Sequence, residues 1–178
     1  MSRVEHAAHP EPAGTVDRRR EDALEKLISD TIEDLHSILV HFPIALLVLL
    51  AFLTAYVVLR PGSGMLQATW LLLVVGTIGA VAATVSGVIS HFPYEETDLH
   101  GVIETHQWWS FAATALFIAA TVWRLISRRR GSDCGGSVRF LVVVVAGAAL
   151  LVMSGLTGGD LVFDYGINVR GVNPLLDQ

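Results

Sequence analysis

The chain has one cysteine, Cys134, so no disulfide can form within it and a thiolate metal cluster is not expected. Charge is scarce. Only 16% of the 178 residues are charged, and the 26 residues from Met65 to Ser90 carry none. The net charge of -5 comes without a clustered basic face, which argues against a nucleic-acid partner. There is no Ser-His-Asp arrangement, P-loop or Rossmann fingerprint, so no enzymatic nucleophile can be assigned. The first 30 residues are too polar to hold the apolar core of a secretory signal peptide, so the chain is expected to enter the membrane by its own spans.

What the chain does have is apolar length. It is 52% hydrophobic with a mean hydropathy of +0.55, an excess that places it among membrane proteins. Four runs are long enough to cross the ~30 Å hydrocarbon layer. They cover residues 36–59, 65–90, 106–127 and 138–157. The Arg60–Gly64 turn, the 91–105 segment and a Gly/Ser-rich 131–137 loop, read as a flexible linker, connect them. Short connections force antiparallel neighbours. The fold class is therefore all-α integral membrane, a four-transmembrane-helix up-down bundle over residues 36–157. Pro43 is expected to kink the first span or mark its first turn. Gly76, Gly79, Ala80, Ala83 and Gly87 give the second span small-residue stripes suited to close helix packing.

Three flanking regions complete the organisation. Residues 1–20 read as a flexible tail containing His6 and His9. Residues 21–35 place Leu24, Leu27, Ile28, Ile32 and Leu35 at helical spacing with charges opposite, an amphipathic helix expected at the interface or on a partner. Residues 158–178 are read as a C-terminal cap. Arg60, Arg124, Arg128, Arg129, Arg130 and Arg139 gather at one end with Asp133 the one acid there. The positive-inside rule puts that end in the cytoplasm and the opposite end outside the cell membrane.

The remaining histidines carry the chemistry. His36, His41, His91, His100 and His106 all fall at the end away from the arginines. Bis-histidine ligation of one or two b haems needs imidazoles from different helices around an apolar slot. His41 and His106 are the expected axial pair, with His36, His100 and His91 as further cofactor-binding candidates. A copper or zinc site built from three or four imidazoles would use the same residues. The plainer alternative is a set of interfacial histidines, in a cofactor-free anchor or assembly subunit. Asp160 and Asp164 could orient a histidine, and Glu95, Glu96, Asp98 and Glu104 could dock a basic electron carrier. Tyr94 and Tyr165 are expected to be interfacial anchors.

The segment LHSILVHFPIALL, with His36, His41, Phe42, Pro43, Ile44, Ala45 and Leu46, resembles domain of unknown function 2231, a family of small four-span bacterial membrane proteins. The likeness extends to His106 at the head of the third span. It also includes a tail formed by Gly158, Gly159, Leu161, Val162, Phe163, Tyr165 and Gly166. It covers roughly residues 35–170. Ser37 stands where many relatives have proline, and Leu156 where many have histidine. The resemblance implies a redox-associated module of the bacterial plasma membrane. On that basis the chain is expected to anchor a respiratory complex and bind haem b. It would pass electrons between an extracytoplasmic partner subunit and the quinone pool.

Overall fold

The structure, a computed structural model, describes residues 13–167, 169 and 172. Within residues 13–35 the side chains of Arg18, Arg20, Glu21 and Leu24 are described. Residues 1–12 of the expected tail, with His6 and His9, lie outside the described set, as does most of the expected cap beyond Ile167.

Four long helices account for the described chain: α1 Ala13–Leu59, α2 Leu66–His91, α3 His100–Arg129 and α4 Val138–Phe163. Each contains an apolar stretch long enough to cross a membrane. The chain is thus an all-α, multi-pass membrane bundle, as its hydropathy indicates. The 21–35 segment and the first span form one continuous helix, and Pro43 lies inside it. At the span ends, α3 starts at His100 rather than 106, and α4 continues to Phe163 rather than 157. Polar residues at headgroup depth lower hydropathy there without ending the helix.

A single spacing builds the interior. On α1 the stripe is His36, Val40, Pro43, Leu47, Leu50, Thr54 and Val57; on α2 it is Thr69, Leu73, Gly76, Ala80, Ala83 and Gly87. On α3 it is His106, Ser110, Ala113, Phe117, Ala120 and Arg124; on α4 it is Phe140, Val144, Gly147, Leu151, Ser154, Gly158 and Leu161. The steps alternate four and three, the seam spacing of left-handed helix packing. Small residues on one helix receive large ones from the next. A Cβ on Gly76 would lie 2.6 Å from Leu47, and one on Gly147 would lie 2.7 Å from Phe117. Lipid supplies no hydrophobic force between helices, so such close approach is the source of cohesion.

Helices α1 and α2 pack most extensively, then α3 and α4; α2–α3 and α1–α4 contacts are sparser, and α1 and α3 are diagonal. The bundle is therefore two hairpins laid together. Hydrogen bonds between Thr77 and Thr121 (3.0 Å) and between Thr84 and Thr114 (2.8 Å) join α2 to α3.

The end bearing Arg60 and Arg128–Arg130 is sealed by Arg124, which is fully buried. Its guanidinium donates to Asp133 (2.8 and 3.2 Å), to Thr69 (2.9 Å) and to the Leu66 carbonyl (2.8 Å). The Trp70 and Phe140 rings flank it at 5.7 and 5.4 Å. Arg128 also reaches Asp133, at 2.7 Å. The 131–137 segment, expected as a flexible linker, is instead shaped around this pair. Asp133 accepts from the Gly135 amide, and a Cβ on Gly135 would collide with the guanidinium.

Partial burial raises the Asp133 carboxyl, but hydrogen bonds from Arg124, the Gly135 amide and Arg128 outweigh it and hold it below the usual carboxylate range. A depressed folded-state value adds stability above the unfolded value of ~3.9, lost as pH falls through the folded value. Two outcomes are expected in detergent. Arg124→Ala lowers unfolding free energy by about 3–5 kcal/mol, the cost of leaving one member of a buried pair alone, whereas the exposed Arg139→Ala changes little. Stability stays level through neutral pH and falls only below about pH 4, and Asp133→Asn removes that acid limb; a chemical-denaturation series against pH reads both.

Candidate functional site

At the opposite end the two hairpins part. Between them lies a cavity of about 610 Å³ lined mainly by apolar side chains, among them Ile44, Ala80, Ala83, Ile103 and Leu151. The volume is that of a cofactor-sized pocket. Exposed lining residues are mostly on α1 and α4, including Ser37, Val162 and Phe163, so the cavity opens between those helices.

Two imidazoles enter it from the diagonal helices, His36 from α1 and His106 from α3. They lie within electrostatic reach of each other. Each ring is anchored by Nδ1 to the adjacent helix of its own hairpin. The His106 Nδ1–H donates to the Ser154 carbonyl at 2.9 Å, with Thr157 Oγ1 at 3.2 Å. A carbonyl only accepts, so the proton sits on Nδ1. His36 Nδ1 meets Ser86 Oγ at 2.9 Å, and Ser86 gives its own proton to the Ala83 carbonyl at 2.9 Å. With that proton on the Ala83 carbonyl, the Ser86 oxygen accepts from His36, which then carries its proton on Nδ1. Both neutral rings keep an unprotonated Nε2. This is the arrangement that metal-binding imidazoles use, one nitrogen held by a protein acceptor and the other left for the metal.

The glycine stripes make room for these rings. A Cβ on Gly87 would lie 2.9 Å from His36 Cε1, and one on Gly158 would lie 3.0 Å from His106 Cε1. Any larger residue at either place would push the ring from its anchor.

The other candidates fall into place around this pair. His41 lines the cavity at its rim and is exposed, and its Nδ1–H donates to the Ser37 carbonyl of its own helix at 2.6 Å. The expected partner of His106 is His41; His36 and His41 both line the cavity, with 36 on the interior stripe of α1 and 41 off it. His91 is buried on the cavity wall, stacked on His100 at 5.2 Å. His100 is exposed beside Glu104 and does not line the cavity. Asp160 and Asp164 are exposed; the rings are oriented by Ser86, Ser154 and Thr157. The Ser86 and Thr157 hydroxyls could have been found from sequence, since each lies one step from an interior stripe; the Ser154 contact is made by its backbone carbonyl. Tyr94, expected as an interfacial anchor, is buried against Ile103, Leu161 and Ile167. Among the described residues no three His, Cys, Asp or Glu side chains converge on one point.

The family comparison agrees with this architecture. Residues 33–171 match the family described as predicted membrane protein (DUF2231). The chain belongs to that family. The matched region contains the four apolar spans and all five histidines of this end. No curated protein and no solved structure matches the chain.

The tautomers can be read directly. Nitrogen-15 NMR of the protein with labelled histidine, above the pH at which the rings are neutral, is expected to show His36 and His106 in the Nδ1–H form. An Nε2–H form at either residue would remove the argument for free Nε2 atoms.

Proposed function

We propose that this chain is a haem b-binding electron-transfer subunit of a membrane redox complex, in which His36 and His106 would hold the haem iron. One observation carries the reading: two diagonal helices present imidazoles, each held by Nδ1–H and each with Nε2 unprotonated, to one apolar cavity. Ligands on opposite helices suit a flat macrocycle between them, and the apolar walls suit its faces. The cavity volume and the glycine-backed rings fit a group of that kind. When bound, haem supplies reversible one-electron transfer.

The protein's own part is positional. Ser86 and the Ser154 carbonyl fix both ring planes and raise the basicity of Nε2. Ala80, Ala83 and Leu151 keep water from the interior. Exposed Glu95, Glu96, Asp98 and Glu104 give that end an acidic face for an electron-carrying partner, and the cavity's opening between α1 and α4 gives the quinone pool lateral access. The exposed arginines at the other end favour a cytoplasmic location for it by the positive-inside rule, and so an outward-facing histidine end.

The purified protein is expected to give a reduced-minus-oxidised spectrum with a b-type α-band. His36→Ala and His106→Ala should each abolish the six-coordinate low-spin form, and His41→Ala should keep it. A folded protein without an α-band would make the chain a cofactor-free anchor; loss in His41→Ala with retention in His36→Ala would reverse the ligand assignment. For the orientation, Ser132→Cys in a Cys134→Ser background should resist an impermeant thiol reagent in intact cells and react in inverted vesicles. Labelling in intact cells would invert the topology.

A further inference from the structure

His41, the histidine left outside the pair, sits at the mouth of the cavity with one nitrogen free. It lies five residues inside the first span, about 7.5 Å along the axis from His36. It lines the cavity and is exposed. Its Nδ1–H is turned back to the Ser37 carbonyl one turn earlier, so the neutral ring carries no proton on Nε2. Nε2 is across the ring from that bond and has no hydrogen-bond partner among the described residues. An ionisable side chain at membrane depth is costly and marks a function by default.

The phase of α1 fixes which gap His41 faces. His36, Pro43, Leu46 and Leu47 are the residues set against the α2 glycines Gly87, Gly79 and Gly76. Ser37, His41 and Ile44 form the next row, on the far side of the interior stripe from α2, and the other neighbour of α1 is α4. Across the opening, the α4 wall includes Gly155 and Gly159, one turn apart. Unlike Gly87 and Gly158, which back onto imidazoles, these two back onto nothing: a Cβ on either would meet no atom within 4 Å. The wall opposite His41 is bare backbone with open space before it.

We infer that His41 Nε2 accepts a hydrogen bond from a hydroxyl of a membrane hydroquinone seated in the α1–α4 opening, a reading that rests on the function proposed above. An opening towards the bilayer admits a lipid-soluble molecule, and apolar walls with bare glycine backbone suit a flat ring. The neutral imidazole has only an acceptor left to offer, so the ligand must bring a donor. A phosphate or a quinone carbonyl brings acceptors; a hydroquinone brings two O–H donors. Ser37, exposed on the same row, carries a hydroxyl that donates or accepts and so serves either form. His41 is what makes the opening select the reduced form of the carrier.

The test titrates the full chain in detergent, anaerobic and reduced, with decylubiquinol and with its dimethyl ether, which has no O–H to donate. Wild type is expected to bind the ether about tenfold more weakly, the scale of one hydrogen bond in an apolar site. His41→Phe should bind both alike, at about the affinity of wild type for the ether, with any b-type α-band unchanged. Equal affinities in wild type, or a preference that survives in His41→Phe, would overturn the inference while leaving the His36–His106 pair standing. The titration needs no haem, so a missing α-band would overturn that pair while the affinities still decide the role of His41. A second measurement needs no variant. With labelled histidine, the nitrogen-15 resonance of His41 Nε2 in wild type should move when the quinol is added and stay when the ether is added; a resonance that the quinol leaves in place would overturn the inference.

Discussion

An imidazole inside a bilayer must give its N–H to another group of the protein, because no water is there to take it. That requirement organises this bundle. His36 satisfies it on α2 and His106 on α4, so each ring clamps its own helix to the next in the chain. Each such bond is worth only about 1 kcal/mol net, but it settles which helices are held close. Neither ring bonds across to the other hairpin, and at this depth the hairpins stay apart. The cavity is what remains when both polar rings are satisfied sideways rather than towards each other.

The far end solves the opposite problem. Arg124 stands on the same stripe of α3 as His106, eighteen residues on, or about 27 Å along the helix axis at 1.5 Å per residue. Its charge cannot be left bare, and its fork spans the gap that the histidines leave open. It binds Thr69 and the Leu66 carbonyl on α2, meets Asp133 in the loop before α4, and lies against Phe140 of α4. A buried ion pair adds little net stability against an apolar equivalent, yet it tolerates few alternative geometries. Its effect is to fix the two hairpins at one end while the threonine pairs between α2 and α3 hold one flank. The other flank, α1 against α4, has no such pair among the described hydrogen bonds, and it is there that the cavity opens.

Much of this was legible in the sequence, and the misses share a cause. Hydropathy located the four spans, and their alternation brought five histidines to one end. The family likeness rested on residues that the family match then covered. Helical phase was harder. In a span that is apolar all round, burial leaves no polar–apolar contrast to read. For that reason apolar neighbours alone favour His41 over His36 as the partner of His106. The phase was nevertheless marked by Thr54, the one polar residue deep in the first span, which shares the four-and-three spacing with His36 and not with His41. The same spacing links His106 to Arg124 and would have exposed that arginine as interior rather than as one more cytoplasmic charge. The loop around Asp133 was unreadable because its order comes from Arg124, a residue on another element. Its Gly135 clears a guanidinium rather than giving slack.

The asymmetry of the two ends limits what the bundle can do alone. Every histidine of the described chain is at the open end. At the sealed end Arg124 is committed to Asp133, Thr69 and Leu66, and Arg128 to Asp133 and Gln67, while the buried Thr54 Oγ1 has no hydrogen-bond partner. On the proposed function, charge entering at the histidine pair would meet no further histidine among the described residues across the remaining ~27 Å of the bundle. The same clamp geometry that creates the site thus confines it to one side of the membrane.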